Sequence, residues 1–233
     1  ILFSNIRTSL LAFLQPYKLT LVMQLKTFTF NGFQENTYIV YDQSKQCIII
    51  DPGCYDANEE QTLVSFIEAN HLTPVLILNT HCHIDHVLGN AFVAEKYNIN
   101  LRIPSKEATS LQLAAVYGQS FGFNMRTSPE PKSFIYDNDI ISFGNSSLKC
   151  ISTPGHSVDS MCFYHEPTQA LIGGDVLFYQ SIGRTDLPGG SYPQLIASIT
   201  TRLFTLPDAV IVYPGHGQST TIGYEKKHNP FLN

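Results

Sequence analysis

This chain of 233 residues holds no tryptophan, and charged residues make up only 14% of it, against about a quarter in an average globular domain. The missing tryptophan carries no functional information, but the scarcity of charge does. With 14 Lys and Arg against 19 Asp and Glu, the formal net charge is −5. That balance offers no basic face for a nucleic-acid backbone and no basic run for an anionic membrane surface. The expected partner is a small-molecule substrate, with neither nucleic acid nor membrane involved. The five cysteines, Cys47, Cys54, Cys82, Cys150 and Cys162, are odd in number and form no Cys-x-x-Cys pair. A disulfide framework is therefore not expected, and a reducing, cytoplasmic compartment is. Cys47, Cys150 and Cys162 read as buried apolar packing.

A long unbroken hydrophobic run is also missing. Residues 9–22 are apolar but interrupted by Pro16 and Lys18, too short and too broken to span a bilayer. They lack the clean apolar stretch and small-residue cleavage site of a signal peptide. The chain starts at Ile1 and its first methionine is Met23. Residues 1–22 are read as an extension, with a mis-assigned start as its source, and residues 23–233 as one domain undivided by any Gly/Ser-rich or charged linker. A hydrophobic content of 43% over that length is ample for a core.

What is present alternates between strands and helices. Residues 25–30 alternate as a strand, and 37–41 and 47–50 are β-branched runs joined as a hairpin. Helical spacing of Leu63, Phe66 and Ile67 predicts a helix over 58–70. An apolar strand follows at 74–79, then helices at 87–97 and 105–117. Strand character returns at 133–136, 140–143, 148–151, 161–164 and 170–173. A helix at 192–205 and a strand at 209–213 complete the pattern. No exact repeat is found, though each half carries strands followed by helices, which suits two sheets packed face to face with helices outside.

The densest chemistry lies just after strand 74–79, where residues 80–86 read Thr-His-Cys-His-Ile-Asp-His. Imidazole and carboxylate are the ligands that zinc and its first-row neighbours take. Cys82 lies between two ligand candidates, but alternation along the chain points it away from them. Later strand ends repeat the theme. His156 sits in Thr153-Pro154-Gly155-His156-Ser157, Asp175 in Gly173-Gly174-Asp175, and His216 in Tyr213-Pro214-Gly215-His216-Gly217. The histidines outside this pattern, His71, His165 and His228, read as surface or capping residues. Seven candidate ligands, His81, His83, Asp85, His86, His156, Asp175 and His216, are too many for one tetrahedral ion and suit two ions sharing a carboxylate.

This set resembles the metallo-β-lactamase fold superfamily, whose metal-site motifs match His81-x-His83-x-Asp85-His86, His156, Asp175 and His216 over essentially residues 24–232. The resemblance implies an α+β fold, a four-layer αβ/βα sandwich with a dinuclear site at one edge of the sheets. It implies two divalent ions, zinc first, with iron and manganese also compatible. One ion would be held by His81, His83 and His156, the other by Asp85, His86 and His216, with Asp175 bridging and Asp51, in Asp51-Pro52-Gly53, supporting from behind.

Within the superfamily the chain is most similar to short, single-domain glyoxalase II-like hydrolases. The similarity runs through His86-Val87-Leu88-Gly89-Asn90, Gly183-Arg184-Thr185-Asp186 and the tail Glu225-Lys226-Lys227-His228-Asn229-Pro230-Phe231-Leu232. Larger glyoxalase II enzymes carry a C-terminal helical domain that helps to hold glutathione, and the given sequence stops at Asn233 without one. The implied activity is hydrolysis of a thioester, an S-acylglutathione or a relative, by a metal-bridging hydroxide that Asp85 also orients. Arg184 is the candidate contact for an anionic substrate group, weighed against a salt bridge to Asp186. The main rival is a persulfide dioxygenase of the same superfamily, with one iron on the counterparts of His81, His156 and Asp175. Those enzymes typically show Pro-Ala-His-Asp where this chain has Pro214-Gly215-His216-Gly217. Lesser alternatives are β-lactam, lactone or phosphodiester hydrolysis and a non-enzymatic metal-stabilised fold.

Overall fold

The computed structural model describes residues 23–232, so the expected extension at 1–22 lies outside the described residues. The first half of the chain builds one six-stranded sheet from β1 (Gln24–Phe30), β2 (Glu35–Tyr41), β3 (Gln46–Ile50), β4 (Thr73–Leu78), β5 (Asn100–Pro104) and β6 (Ser133–Ile135), in that spatial order. The β1–β3 meander is antiparallel; β3 to β6 run parallel. Parallel neighbours need crossovers, and these are α1 (Ala57–Ala69), the pair α2 (Ile84–Val87) and α3 (Asn90–Tyr97), and α4 (Ala108–Ser120).

The second half contributes β7 (Ile140–Phe143), β8 (Ser146–Ser152), β9 (Met161–His165) and β10 (Ala170–Gly174), then a small hairpin of β11 (Leu177–Phe178) and β12 (Ser181–Ile182). Next come α5 (Tyr192–Thr201), β13 (Ile211–Pro214), β14 (Thr220–Thr221) and α6 (Ile222–His228). The second six-stranded sheet has the order β14-β13-β10-β9-β8-β7.

Strand alternation sorts the apolar side chains into three layers. Tyr38, Val40, Ile48 and Ile50 of the first sheet meet Met161, Phe163, Ala170 and Ile172 of the second. The intervening residues point outward. Ile39, Cys47 and Ile49 pack under Leu63, Ile67, Val93 and Leu111 of the first helical layer. Cys162, Tyr164, Leu171 and Val212 pack under Leu195, Ile199 and Ile222 of the second. Helix, sheet, sheet, helix is the four-layer sandwich expected from the sequence. No helix among the described residues is long and apolar enough to cross a membrane.

Several expected elements are shifted, among them the helix expected at 105–117, which is a tight turn over Ser105–Glu107 and then α4, and the strand expected at 209–213, which is β13. The helix expected at 87–97 is interrupted at Gly89, whose N–H donates to Pro52 O at 2.7 Å and where a Cβ would press on Pro52 O and Cys54 Sγ. The helix expected at 192–205 stops at Thr201 and continues as a tighter turn over Leu203–Thr205. The short hairpin β11–β12, β14 and the helix α6 carry too few residues to show periodicity, and sequence patterning missed them. Of the three histidines read as surface or capping, His71 and His228 are exposed, whereas His165 is buried and accepts a bond from Thr168 N, capping a short turn from inside.

Asp42, in the turn between β2 and β3, ties the sheets together. Its carboxylate accepts from Ser44 N (2.8 Å), from Asn145 N (2.7 Å) and from the Ser146 hydroxyl (2.9 Å). Burial alone would raise its pKa, but these bonds outweigh it and hold it below the ordinary value. A depressed carboxylate contributes stability that is present above the unfolded pKa of about 3.9 and lost as pH falls through the lower folded value. Asp42→Ala should therefore cost about 1–3 kcal/mol at neutral pH. In urea titrations the deficit should shrink in acid; an unchanged deficit at low pH would contradict this account.

Candidate metal centre

Four loops deliver the expected side chains to one edge of the sandwich, each just past a strand. His81 and His83 follow β4, and Asp85 and His86 lie on the short α2. His156 follows β8, Asp175 follows β10 and His216 follows β13. The edge is stitched shut across the two sheets. Asn36 N donates to Gly215 O at 2.7 Å, its side-chain amide donates to Pro214 O and Gly217 O, and the Tyr38 hydroxyl donates to Pro214 O. Met161 N donates to Thr80 O at 2.8 Å. Gly215 permits a close approach: a Cβ there would collide with Asp175 Oδ1 and meet His86 Cε1 at 2.7 Å.

Two groups of side chains face each other there. His81, His83 and His156 form one, with ring nitrogens 2.9 to 3.2 Å apart. Asp85, His86 and His216 form the other, with His216 Nε2 3.1 Å and His86 Nε2 3.6 Å from Asp85 Oδ2. Asp175 lies between them. Its Oδ1 is 3.5 Å from His86 Nε2, and its Oδ2 is 3.6 Å from His156 Nε2 and 3.5 Å from His216 Nε2.

The partners behind each ring assign its protons. His156 Nδ1 donates to Arg184 O at 2.8 Å and His216 Nδ1 to Phe33 O at 3.1 Å. His86 Nδ1 donates to Asp51 Oδ2 at 3.1 Å. The Thr80 hydroxyl donates to Asp51 Oδ2 at 2.6 Å and so accepts from His81 Nδ1 at 3.0 Å. Each of these four rings therefore turns its Nε2 into the centre, as a lone pair wherever the ring is neutral. Bare His81 Nε2 and His156 Nε2 stand 3.2 Å apart, a repulsive pairing that a cation between them relieves. Nitrogens bound tetrahedrally to zinc at 2.0–2.1 Å would sit about 3.3 Å apart, close to the observed spacing. His86 Nε2 and Asp175 Oδ1 are buried with no hydrogen-bond partner, which a cation would also satisfy. The donor set thus fits divalent metal.

Electrostatics within the protein chain alone divide the two groups. Burial and the neighbouring imidazoles hold His81 well below its ordinary pKa, and burial with His156 lowers His83 to about 4. Burial works against protonation of His86 too, but Asp85 and Asp175 outweigh it and raise the ring well above the ordinary value. Asp175 is shifted the other way: burial raises it, yet His86, His156 and His216 win and keep it ionised. Against burial, Asp85 and Asp175 raise His216 as well, so a cation binding there would displace protons from His86 and His216 while meeting carboxylates already ionised.

The remaining sequence expectations fall out unevenly. Asp51 sits behind the centre, its oxygens taken by Thr80, Asn79 and His86 Nδ1. Cys82 is buried in the outer core layer beneath the helices, away from the two groups. The Arg184 guanidinium is exposed and engaged bidentately by Asp186 at 2.7 Å, so what Arg184 presents to the centre is its backbone carbonyl. Glu35 went unread in the sequence. It is fully buried, with Oε2 accepting from Thr37 and Oε1, which has no hydrogen-bond partner, 3.8 Å from His86 Nδ1. Burial raises its pKa well above normal, against the pull of His86. Its one sequence signal was position, an acidic residue opening the apolar strand β2.

Known proteins resemble this chain. The probable metallo-hydrolase YqgX of Bacillus subtilis is 34% identical over 212 residues, 91% of this chain and 98% of that protein. The hydroxyacylglutathione hydrolase GloC of Haemophilus influenzae is 33% identical over 213 residues, 91% of this chain and 99% of that protein. Among solved structures, the BLEG-1 B3 metallo-beta-lactamase superposes with a TM-score of 0.83 at 35% identity, covering 90% of this chain and 100% of that one. TTHA1623, solved in a di-iron-bound form, gives 0.80 at 33% identity, covering 89% and 100%. Residues 30–216 match the family described as the metallo-beta-lactamase superfamily. Fold, converging imidazoles and carboxylates, and this match agree, and the chain belongs to that superfamily of metal-dependent, mainly hydrolytic proteins.

Proposed function

We propose that this chain is a thioester hydrolase working with two divalent ions, on S-acylglutathione or a related small-molecule thioester. The observation that carries the reading is the position of Asp175, with one oxygen toward His86 and the other toward His156 and His216. In this reading His81, His83 and His156 hold one ion, Asp85, His86 and His216 the other, and Asp175 serves both. Bound there, two such ions supply an acidified water near neutral pH and Lewis-acid stabilisation of a developing oxyanion. In this reading Asp85 would also orient that water while ligating. Water adds to the thioester carbonyl, the C–S bond breaks, and acid and thiol leave, the thiol carrying the proton that water gives up.

Support comes from the similarity to GloC along nearly its whole length and from a di-iron form of a relative in fold and sequence. Zinc is the first choice of metal, with iron and manganese as alternatives that the same ligands accept. The second reading, a one-iron dioxygenase on His81, His156 and Asp175, leaves Asp85, His86 and His216 without a task, although they converge within 4.8 Å. The test is metal analysis of native protein joined to a substrate panel. Two ions per chain with turnover of S-lactoylglutathione or another thioester is the expected result. One iron per chain with oxygen consumption and no thioester cleavage would overturn it. Cleavage of a β-lactam alone would redirect it toward the activity in the name of BLEG-1.

A further inference from the structure

The tail motif Glu225-Lys226-Lys227-His228-Asn229 has no place in the metal centre, yet it holds two fully buried polar side chains, Glu225 and Asn229. Both reach the hairpin β11–β12. Glu225 Oε2 accepts from Gln180 N at 3.0 Å and from Asn229 Nδ2 at 2.8 Å, while Oε1 accepts from the Thr220 hydroxyl. Asn229 Nδ2 also donates to Ser181 O at 3.0 Å. The tip is fastened a second time. The Tyr179 ring stacks on Tyr224 of α6 at 5.1 Å, and Gln180, with its left-handed φ of 53°, donates from Nε2 to the Tyr224 hydroxyl at 2.6 Å.

This hairpin forms a wall of the space outside the metal centre. An open surface depression of about 330 Å³ is lined by Phe178, Tyr179, His216, Gly217 and Gln218. Phe178 stands edge-on to the His216 ring with centroids 6.4 Å apart. A second open depression of about 310 Å³ also uses Tyr179, with Ile211, Ser219, Thr220, Thr221 and Tyr224. Neither lining includes a lysine, arginine, aspartate or glutamate. The site lies against His216, is aromatic, can hydrogen-bond through Tyr179 and Gln218, and has no lysine or arginine in its lining to pair with a carboxylate.

We propose that the depression beside His216 is a subsite for an uncharged, aromatic or aliphatic part of the substrate, and that Glu225 and Asn229 are positioning residues that hold its wall. The proposal rests on the hydrolase reading for its substrate and deepens it: the preferred thioester carries a neutral group there rather than the two carboxylates of glutathione.

The experiment uses the metal-loaded full chain and two lactoyl thioesters, of glutathione and of benzyl mercaptan. The ratio of their kcat/KM values is measured for the parent, Tyr179→Ala, Glu225→Ala and Glu225→Gln. Removing one apolar contact from a subsite changes discrimination by about tenfold or more. Tyr179→Ala should lower the benzyl-to-glutathione ratio by about tenfold through KM rather than kcat. Glu225→Ala should match it, and Glu225→Gln, which keeps an acceptor oxygen, should recover most of the loss. A ratio unchanged in Tyr179→Ala overturns the proposal even if Glu225→Ala does not fold. Ligand-observed NMR with benzyl methyl sulfide, which has no cleavable carbonyl, separates the two readings. If no thioester is cleaved but the sulfide binds the parent and not Tyr179→Ala, the subsite stands and the hydrolase falls. If thioesters are cleaved but the sulfide does not bind, the subsite falls alone.

Discussion

Asp175→Asn should lower kcat/KM for any thioester the protein cleaves by about 10³-fold, equivalent to about 4 kcal/mol, and leave fewer than two ions per chain. The substitution keeps the shape of the side chain, so the packing against Gly215 and the hydrogen bond from Gly215 N to Gly174 O are not disturbed. What it removes is the negative charge shared by His86, His156 and His216. An amide offers one weak acceptor oxygen where two ions need a charged oxygen each. Its NH2 group would point a donor at one of the two positions. Kinetics and metal stoichiometry on the same preparation check this. Full turnover with two ions retained would mean that Asp175 does not join the halves, and the dinuclear reading would fail with it.

Much of this candidate site was legible in the sequence because the residues that gather there follow local rules. His81, His83, Asp85 and His86 crowd into one loop, and His156, Asp175 and His216 each follow an apolar strand within a Gly-containing turn. The sandwich was legible for a related reason: strands with both faces buried, such as Cys47–Ile50, alternate with amphipathic helices such as α1. What stayed hidden depends on long-range contact. Glu35 and His216 meet across the two sheets, 181 positions apart, in a single β-bridge, and no local pattern announces that. Arg184 was noticed for its guanidinium, whereas the structure uses its carbonyl, a group every residue has. The tail motif was recognised as text; only the bonds from Glu225 and Asn229 to residues 180 and 181 show what it holds.

Asp51→Asn should weaken metal binding by about 10- to 100-fold, the usual cost of removing a partner behind a ligating histidine, while leaving the fold in place. Asp51 has a φ of +48°, a left-handed conformation that asparagine tolerates as well as aspartate. Backbone strain is therefore not the cause of the loss. The cause is proton assignment. Asp51 Oδ2 accepts from both His86 Nδ1 and the Thr80 hydroxyl, and Oδ1 accepts from Thr80 N. An amide presents one oxygen and one NH2, and cannot accept on both sides. With its oxygen kept toward Thr80 N, the NH2 faces His86 Nδ1, two donors meet, and the ring relieves the clash by moving its proton to Nε2. That nitrogen then has no lone pair for an ion. The Thr80 hydroxyl also loses its acceptor, which frees its proton to face His81 Nδ1 and shifts that ring the same way. One change thus disturbs a ligand in each half of the centre. Competition against a chelator of known affinity should show both ions weakened together, with thermal stability of the metal-free protein nearly unchanged. Loss of only one ion would confine the role of Asp51 to His86. Retention of both at parental affinity would mean that the carboxylate does not set the tautomers at all.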